Sequence, residues 1–428
     1  MHTEAPFESR AADWLTYEEA RARILAAAQP LGSESVTLDE ALDRVLSERV
    51  EAAFRMPPWD NSAMDGFAVR SADLRPGAEV ELTVIGDALA GGEAPPSVGA
   101  GHAVRIMTGA PLPVGADQVV RVEDTEQSGQ VVRVRADPSS GQNIRSGGED
   151  FAEGDTLLEP HDVVTPARLG VLAASGRTHL AVHRRPRIVV LTAGDELLAP
   201  GSVAAVAEGR GVIDSNGPML RAQARSCGAL VESTPTLPDR ADVLEVAIRE
   251  AASRADVLLT VGGASVGAHD LFKRVLDGLG YRPDFWRIRM RPGSPVSFGT
   301  LTYDGRVVPV LGLPGNPSSA FVTFELFARP LLQRLGGRIH IGLRMDRVRA
   351  GSRLRGAQGL TVFARVRMEP ALQGEWVAHP SGPQGSGLIS PLARADALAL
   401  IPPTPGEVPA GAPLTVLWLS EPVGDGHD

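Results

Sequence analysis

The feature that most constrains the fold is a regular alternation of strands and helices between residues 187 and 335. Runs of β-branched and aliphatic residues predict four strands, over residues 188–191, 230–233, 257–261 and 307–311. A helical pattern follows each strand, over residues 218–226, 241–252, 271–279 and 318–335. Such alternation predicts a parallel sheet with helices on both faces. Residues 282–302 interrupt the pattern and predict an extra strand pair.

The flanking segments have different patterns. Two Thr-x-x-Glu motifs, Thr16 to Glu19 and Thr37 to Glu40, each predict the start of an N-terminal helix, because the hydroxyl and the carboxylate can satisfy free backbone N–H groups. Short β-branched runs between Gly and Pro turns make residues 70–140 β-rich, and similar runs return after residue 360.

These patterns predict an α/β multidomain protein. We expect a doubly wound mixed-sheet domain with an inserted β module, an N-terminal mixed domain and a C-terminal all-β domain. The predicted bounds are 14–55 with 141–185 for the N-terminal domain, 56–140 for the inserted module, 186–338 for the α/β domain and 339–420 for a β-barrel-like domain.

Composition narrows the possible functions. The net charge of −10 argues against a broad nucleic-acid-binding surface, which needs clustered basic charge. Lysine and arginine together number 42 and Lys273 is the only lysine, so an anion site must use arginines or backbone N–H groups. Cys227 is the only cysteine, which excludes an intrachain disulfide and a thiolate zinc cluster.

The N-terminus lacks a basic segment followed by an apolar one, so we expect no signal peptide. Residues 307–324 form a long uncharged run, but prolines interrupt it and argue against a membrane span. We therefore expect a cytoplasmic protein with neither a membrane nor a nucleic-acid partner.

Polar and glycine-rich loops follow the predicted strands, where ligands bind in open α/β sheets. Glu196 follows the first strand, Asp239 the second, Gly262 to Asp270 the third and Gly312 to Pro317 the fourth. Backbone N–H groups at helix starts attract anions, whereas carboxylates repel them unless a cation lies between. This combination predicts a phosphate-bearing ligand together with Mg²⁺.

Six motifs in order resemble the molybdopterin molybdenumtransferases, the MoeA family, which includes the E domain of gephyrin. The resemblance covers roughly residues 14–420. The motifs are Asp60-Asn61-Ser62-Ala63-Met64-Asp65-Gly66, Arg105-Ile106-Met107-Thr108-Gly109-Ala110-Pro111, Asn143-Ile144-Arg145 with Gly148-Glu149-Asp150, Gly194-Asp195-Glu196-Leu197, Gly262-Gly263 with Ser265-Val266-Gly267 and Asp270, and Gly312-Leu313-Pro314-Gly315-Asn316-Pro317.

The resemblance implies an enzyme that inserts molybdenum into adenylylated molybdopterin. It uses molybdate and Mg²⁺, releases AMP and forms the molybdenum cofactor. The resemblance also implies an elongated four-domain homodimer whose site draws on both protomers. A non-catalytic pterin-binding or scaffold protein and a molybdopterin adenylyltransferase remain alternatives, and the choice between molybdate and tungstate stays open.

The resemblance also implies site residues, carried over by position. The catalytic residues are Asp60, Thr108, Asp150, Glu196, Asp239 and Asp270, of which Glu196, Asp239 and Asp270 would also bind the metal. The substrate-binding residues are Gly262, Gly263, Ser265, Arg287, Arg291, Ser294, Pro314 and Pro317.

One family motif departs from its usual form in this chain. Where the family reads Lys-Pro-Gly-Lys-Pro, this sequence has Arg291-Pro292-Gly293-Ser294-Pro295, so one cation is missing at Ser294. Arg287 and Arg291 are predicted to bind the oxyanion.

Overall fold

The computed structural model describes residues 14–262, 271–371, 374–404 and 406–420. Gly263, Ser265 and Asp270 lie outside the described residues. Among the helices described, none combines the length and the apolar character needed to cross a membrane.

The first part of the chain is β-rich. Its helices are α1 (Tyr17–Ala26) and α2 (Pro166–Ala174). Its strands are β1 (Ser33–Thr37), β2 (Val50–Glu51), β3 (Asn61–Ser62), β4 (Gly66–Val69), β5 (Val80–Ala88), β6 (His102–Ile106), β7 (Gln118–Arg121), β8 (Thr125–Ser128), β9 (Val131–Val134), β10 (Ile144–Arg145), β11 (Thr156–Leu158) and β12 (His179–His183).

The middle part alternates between strands and helices. Its strands are β13 (Arg187–Thr192), β14 (Leu197–Leu198), β15 (Val212–Ile213), β16 (Leu230–Glu232), β17 (Val257–Val261), β18 (Arg282–Phe285), β19 (Met290–Arg291), β20 (Ser297–Tyr303) and β21 (Arg306–Leu313). Its helices are α3 (Val203–Ala207), α4 (Asn216–Ser226), α5 (Ala241–Arg254), α6 (Leu271–Gly278), α7 (Pro317–Thr323) and α8 (Arg329–Leu335), with a π-helical segment, Phe324–Ala328, between the last two.

The last part is all β. Its strands are β22 (Met345–Ala350), β23 (Leu354–Arg355), β24 (Thr361–Pro370), β25 (Trp376–Pro380), β26 (Ala397–Ile401), β27 (Glu407–Val408) and β28 (Pro413–Trp418). The strand order β24-β25-β22-β28-β26 returns to β24, so these strands close on themselves, as a barrel requires.

The chain divides into two compact units. Unit 1 comprises Met1–Glu34, Asp43–Ser47 and Val182–Asp428, and unit 2 comprises Ser35–Leu42 and Glu48–Ala181. Unit 2 contains a six-stranded sheet of order β7-β4-β6-β5-β9-β8. Unit 1 contains both the α/β sheet and the C-terminal β strands. The four-domain division and its bounds stay a prediction.

The α/β sheet has the order β16-β13-β17-β21-β20-β18. Its first four strands are parallel, whereas β20 and β18 add the expected antiparallel pair. Aliphatic residues fill both faces: Ile188 and Leu259 face one core, and Val189 and Leu258 face the other. Strands covered on both faces are apolar throughout, which explains why their sequences do not alternate.

Most predicted elements are confirmed, but the prediction of a second N-terminal helix is wrong. Thr37 and Glu40 form the expected capping box, yet only a single turn, Leu38–Glu40, follows it. The backbone at Asp43 adopts φ 62°, a left-handed conformation that a helix cannot accommodate. By contrast, Thr16 and Glu19 cap α1 as predicted, because the chain there continues with helical geometry.

A buried carboxylate fastens the amino end of the α/β sheet. Asp256, which lies just before β17, accepts two hydrogen bonds of 2.9 Å from the Arg184 guanidinium and one of 2.8 Å from the Arg187 amide. The side chain of Asp256 is only 6% exposed. The hydrogen bonds that Arg184 donates to Asp256 raise the pKa of the guanidinium, so Arg184 stays charged.

We expect Asp256→Asn to lower the free energy of unfolding by about 2–3 kcal/mol, because it leaves a partly buried guanidinium without its carboxylate. Chemical denaturation measures this difference. Asp242→Asn is the matched control, because Asp242 pairs with Arg240 at the surface, where solvent screens the ion pair and its removal has little effect on stability. Equal effects from the two substitutions would contradict the assigned role of Asp256.

Candidate active site

The carboxyl ends of the parallel strands form one polar edge of the α/β sheet. Strands β13, β17 and β21 run in the same direction and end at Thr192, Val261 and Leu313. The loops that follow them carry the residues predicted from the sequence. Both faces of the sheet are covered by helices, so this edge is where a ligand can approach the strands.

Asp214 is the central polar residue at this edge, although its side chain is buried. Its carboxylate accepts hydrogen bonds from the Thr192 hydroxyl at 3.0 Å and the Thr236 hydroxyl at 3.3 Å. A third hydrogen bond, of 2.9 Å, comes from the backbone amide of Gly217 in the first turn of α4. Asp214 therefore ties the end of β13 to the segments after β15 and β16.

Asn216 anchors the loop that follows β21. Its side-chain amide donates to the carbonyl oxygen of Gly315 at 2.6 Å. The end of β21 itself requires a glycine, because a Cβ at Gly312 would lie 2.3 Å from the Ser297 hydroxyl oxygen. Together, Asp214 and Asn216 hold the backbone of this edge in one arrangement.

Sequence reasoning missed Asp214 and Asn216. Both precede the predicted helix 218–226, and polar residues immediately before a helix of an α/β sheet belong to its ligand-binding edge. Their position immediately before this helix was the signal from which they could have been predicted.

The predicted carboxylates Glu196 and Asp239 lie exposed at the same edge. The Asp239 amide donates to the Asp195 carboxylate at 3.0 Å, which joins the loops after β13 and β16. The Glu196 carboxylate lies over Gly194, with an oxygen 2.7 Å from the point that a Cβ would occupy. No group of three His, Cys, Asp or Glu side chains able to hold a metal ion occurs among the described residues.

A cavity of about 660 Å³ lies between the α/β sheet and the C-terminal β strands. Three of the predicted substrate-binding residues line it: Arg291, Ser294 and Pro314. Gln384 and Ser386 line it from the C-terminal part, so the cavity combines charged and neutral hydrogen-bond donors. Pro314 belongs to the loop after β21, which places this cavity beside the polar edge.

The buried residue Arg365 supports one wall of this cavity. Its guanidinium donates to the carbonyl oxygens of Pro383 at 3.0 Å and Gly385 at 3.1 Å, and to the Ser318 hydroxyl. These partners are neutral, and burial lowers the pKa of the guanidinium. Sequence reasoning missed Arg365 because its strand pattern does not distinguish it from the exposed Arg367.

Three of the predicted substrate-binding residues, Arg287, Ser294 and Pro317, have structural roles. Arg287 does not line the cavity, and its guanidinium lies over the Trp14 ring, 5.0 Å from the ring centroid. The Ser294 hydroxyl lines the cavity but donates to the Ile288 carbonyl oxygen at 2.9 Å. Pro317 is the first residue of α7, where its ring favours the helical backbone.

The remaining predicted residues lie in unit 2, where all three are exposed. The Asp60 carboxylate accepts a hydrogen bond of 2.7 Å from the Gly147 amide. Thr108 donates to the Asp65 carboxylate from both its amide, at 2.7 Å, and its hydroxyl, at 2.8 Å. The Asp150 amide donates to the Met56 carbonyl oxygen. These bonds connect the three unit 2 motifs to their neighbouring loops.

Comparison with known proteins agrees with this arrangement. Three family models match: the MoeA N-terminal region (domain I and II) over residues 15–176, a probable molybdopterin binding domain over 189–334 and the MoeA C-terminal region (domain IV) over 347–419. A molybdopterin molybdenumtransferase from Staphylococcus aureus strain MSSA476 is 32% identical over 90% of this chain and 91% of its own length. The chain belongs to the MoeA family.

Two further relatives cover nearly the whole chain. Molybdopterin molybdenumtransferase 2 of Mycobacterium tuberculosis is 35% identical over 93% of this chain and 97% of its own length. The crystal structure of a molybdopterin biosynthesis MoeA protein from Pyrococcus horikoshii matches 95% of this chain and 100% of its own, with 26% identity and a TM-score of 0.79. The predicted family, fold class and transferase class are confirmed.

We expect Thr108→Val to raise the pKa of Asp65 toward its ordinary value. The two donors of Thr108 hold that pKa low in the folded protein, and the substitution removes the hydroxyl. Because the folded pKa lies below the unfolded one, this bond stabilises the loop above the unfolded pKa and weakens as pH falls through the folded pKa. The pH dependence of the Asp65 carboxyl shift in an NMR titration measures the change.

Thr125→Val is the control, since the Thr125 hydroxyl donates to the Val122 carbonyl oxygen and not to a carboxylate. An unchanged pKa of Asp65 in Thr108→Val would contradict the predicted contact.

Proposed function

We propose that this MoeA-family transferase inserts molybdenum into adenylylated molybdopterin, using molybdate and Mg²⁺ and releasing AMP. One observation carries the proposal. The loop after β21 contributes Gly315 to the polar edge and Pro314 to the cavity that Arg291 lines. The reaction needs an oxyanion beside a phosphate-bearing pterin, and this loop borders a place for each.

The polar edge supplies the features that a phosphate-bearing pterin requires. Asp214 and Asn216 fix the loops, so the backbone groups facing the ligand are organised before it binds. Preorganised donors stabilise developing charge better than mobile ones, because they need not reorient during the reaction. Gly262, with φ 92°, adds a backbone without a side chain at the end of β17.

The cavity beside this edge supplies an oxyanion site. Arg291 provides an exposed guanidinium, whose planar fork can donate two hydrogen bonds to one oxyanion. Ser386 lies in the same lining, and Arg365 holds the neighbouring loop by its bonds to Pro383 and Gly385. These residues would hold molybdate while the two sulfurs of the pterin dithiol bond to molybdenum and replace one oxo group, which leaves as water with the two thiol protons.

The exposed carboxylates at the polar edge are suitable ligands for Mg²⁺ bound together with a phosphate-bearing substrate. Mg²⁺ is bound in such sites through one or two carboxylates together with substrate phosphates and water. Glu196 and Asp239 are exposed and make no ion pair with other described residues. Bound there, Mg²⁺ would neutralise charge on the phosphoryl group of the AMP moiety. Asp270 stays a predicted third ligand.

We propose further that Asp60, Thr108 and Asp150 line the site of the second protomer in a homodimer. Their motifs match the family and their side chains are exposed, which supports a role at a surface. The cytoplasmic location also stays a prediction.

The decisive test supplies the purified protein with adenylylated molybdopterin, molybdate and Mg²⁺. We expect AMP release that requires both molybdate and Mg²⁺, measured by chromatography. We also expect Asp239→Asn to lower the rate at least about tenfold, whereas Asp242→Asn, an exposed acid three residues further, leaves it unchanged. Absence of molybdate-dependent AMP release would overturn the proposal. ATP-dependent adenylylation of molybdopterin would instead identify an adenylyltransferase.

Arg291→Gln tests the oxyanion site separately. We expect it to raise the KM for molybdate at least about tenfold, because it removes a charge-assisted donor pair, while the KM for the pterin changes little. Arg282→Gln is the control, since Arg282 is exposed in the same unit but does not line the cavity. A KM for molybdate that stays the same in Arg291→Gln would remove Arg291 from the site.

A further inference from the structure

A second cavity, of about 530 Å³, lies at the opposite end of the parallel sheet. Pro186, just before β13, and Ala229, just before β16, line it. Both residues precede the amino ends of their strands, whereas the candidate active site lies at the carboxyl ends. At about 3.3 Å per residue, the six residues of β13 separate the two places by roughly 17 Å.

Arginines dominate the lining of this second cavity. Arg44, Arg185, Arg225 and Arg338 line it, and Asp43 is the only acid among the described lining residues. Arg44 is neutralised, because it pairs with Glu34 and donates to the His183 carbonyl oxygen at 3.0 Å.

The other three arginines lack partners among the described residues, unlike several arginines elsewhere in the same unit. The side chains of Arg185, Arg225 and Arg338 make no hydrogen bond or ion pair with any residue that the structure describes. Elsewhere in the same unit, two arginines pair with buried carboxylates: Arg184 with Asp256 and Arg329 with Glu325.

Two helix ends neutralise part of this positive charge. Helices α4 and α8 both end at the cavity, where Cys227 and Gly336 line it. Each helix C-terminus carries about −0.5 charge, so the two ends and Asp43 supply roughly −2. Three guanidinium groups exceed this value, and the cavity keeps a net positive charge for a ligand to neutralise.

From this surplus we propose that the cavity binds a phosphorylated small molecule, with Arg185, Arg225 and Arg338 holding the phosphate. Guanidinium forks match phosphate oxygens in geometry and charge. The volume lies within the range of small-molecule sites, about 300–1,000 Å³, and Val45, Pro186 and Ala229 supply apolar walls. The site is independent of the proposed function, because it lies at the other end of the sheet.

Cys227, the only cysteine, provides a built-in reporter for this cavity. The residue is 8% exposed, and its thiol donates to the Gln223 carbonyl oxygen at 3.1 Å. Burial raises the pKa of the thiol to about 11, so alkylation at pH 8.5 is slow and depends on access through the cavity. A bound anion should slow it further.

The test measures alkylation of Cys227 by iodoacetamide in the full-length protein, followed by intact mass. Pyrophosphate and ADP are titrated separately, with sodium chloride holding the ionic strength constant. At about ten times its Kd, a ligand that covers the thiol should slow the reaction about tenfold. Protection of Cys227 by pyrophosphate identifies the phosphate as the recognised group. Stronger protection by ADP shows that the cavity also contacts the nucleoside.

The double variant Arg185→Gln with Arg338→Gln should lose this protection, and calorimetry with pyrophosphate should show the same loss of binding. Arg353→Gln with Arg367→Gln is the matched control, because it removes the same charge from exposed surface pairs with Glu407 and Glu369. Equal protection in both double variants, or no protection in the unmodified protein, would overturn the proposal. AMP release, measured in parallel, reports on the proposed function alone.

Discussion

Burial of the parallel sheet on both faces is the constraint on which the rest of this structure depends. Because Val257–Val261 is buried along its whole length, polar groups cannot approach the sheet from above or below. They collect at its two ends, where the loops begin. The carboxyl end gathers carboxylates and glycines around Asp214, whereas the amino end is fastened by Asp256 and bordered by arginines.

The fold was largely predictable because its main determinants are local. Apolar runs, turn residues and the capping box at Thr16 were enough to place the strands and helices of the α/β sheet. The segment after Thr37 carries the same capping signal, and the prediction of a helix there was wrong. The turn ends at Glu40 and the left-handed backbone at Asp43 prevents a helix from continuing, and a capping motif contains no information about what happens three residues after it.

The site was predictable only where its residues occupy strand ends. Glu196 and Asp239 lie at the edge that the strand order predicts, and the cavity includes Arg291. Arg365 and Asp214 could not be recognised in the same way, because their roles depend on partners brought in by folding. Arg287 illustrates the converse: its charge suggested an anion contact, and the structure places its guanidinium over Trp14.

The pairing of the short strand β19 has a consequence for the shape of the cavity beside the polar edge. Met290 and Arg291 pair with Thr361 and Val362 of β24, so the arginine that faces the cavity is held by the C-terminal strands although it belongs to the α/β segment. The same strand, β24, carries Arg365. The shape of this cavity therefore depends on the junction between the two segments, and a change in the packing of the C-terminal strands would alter it without touching a residue that lines it.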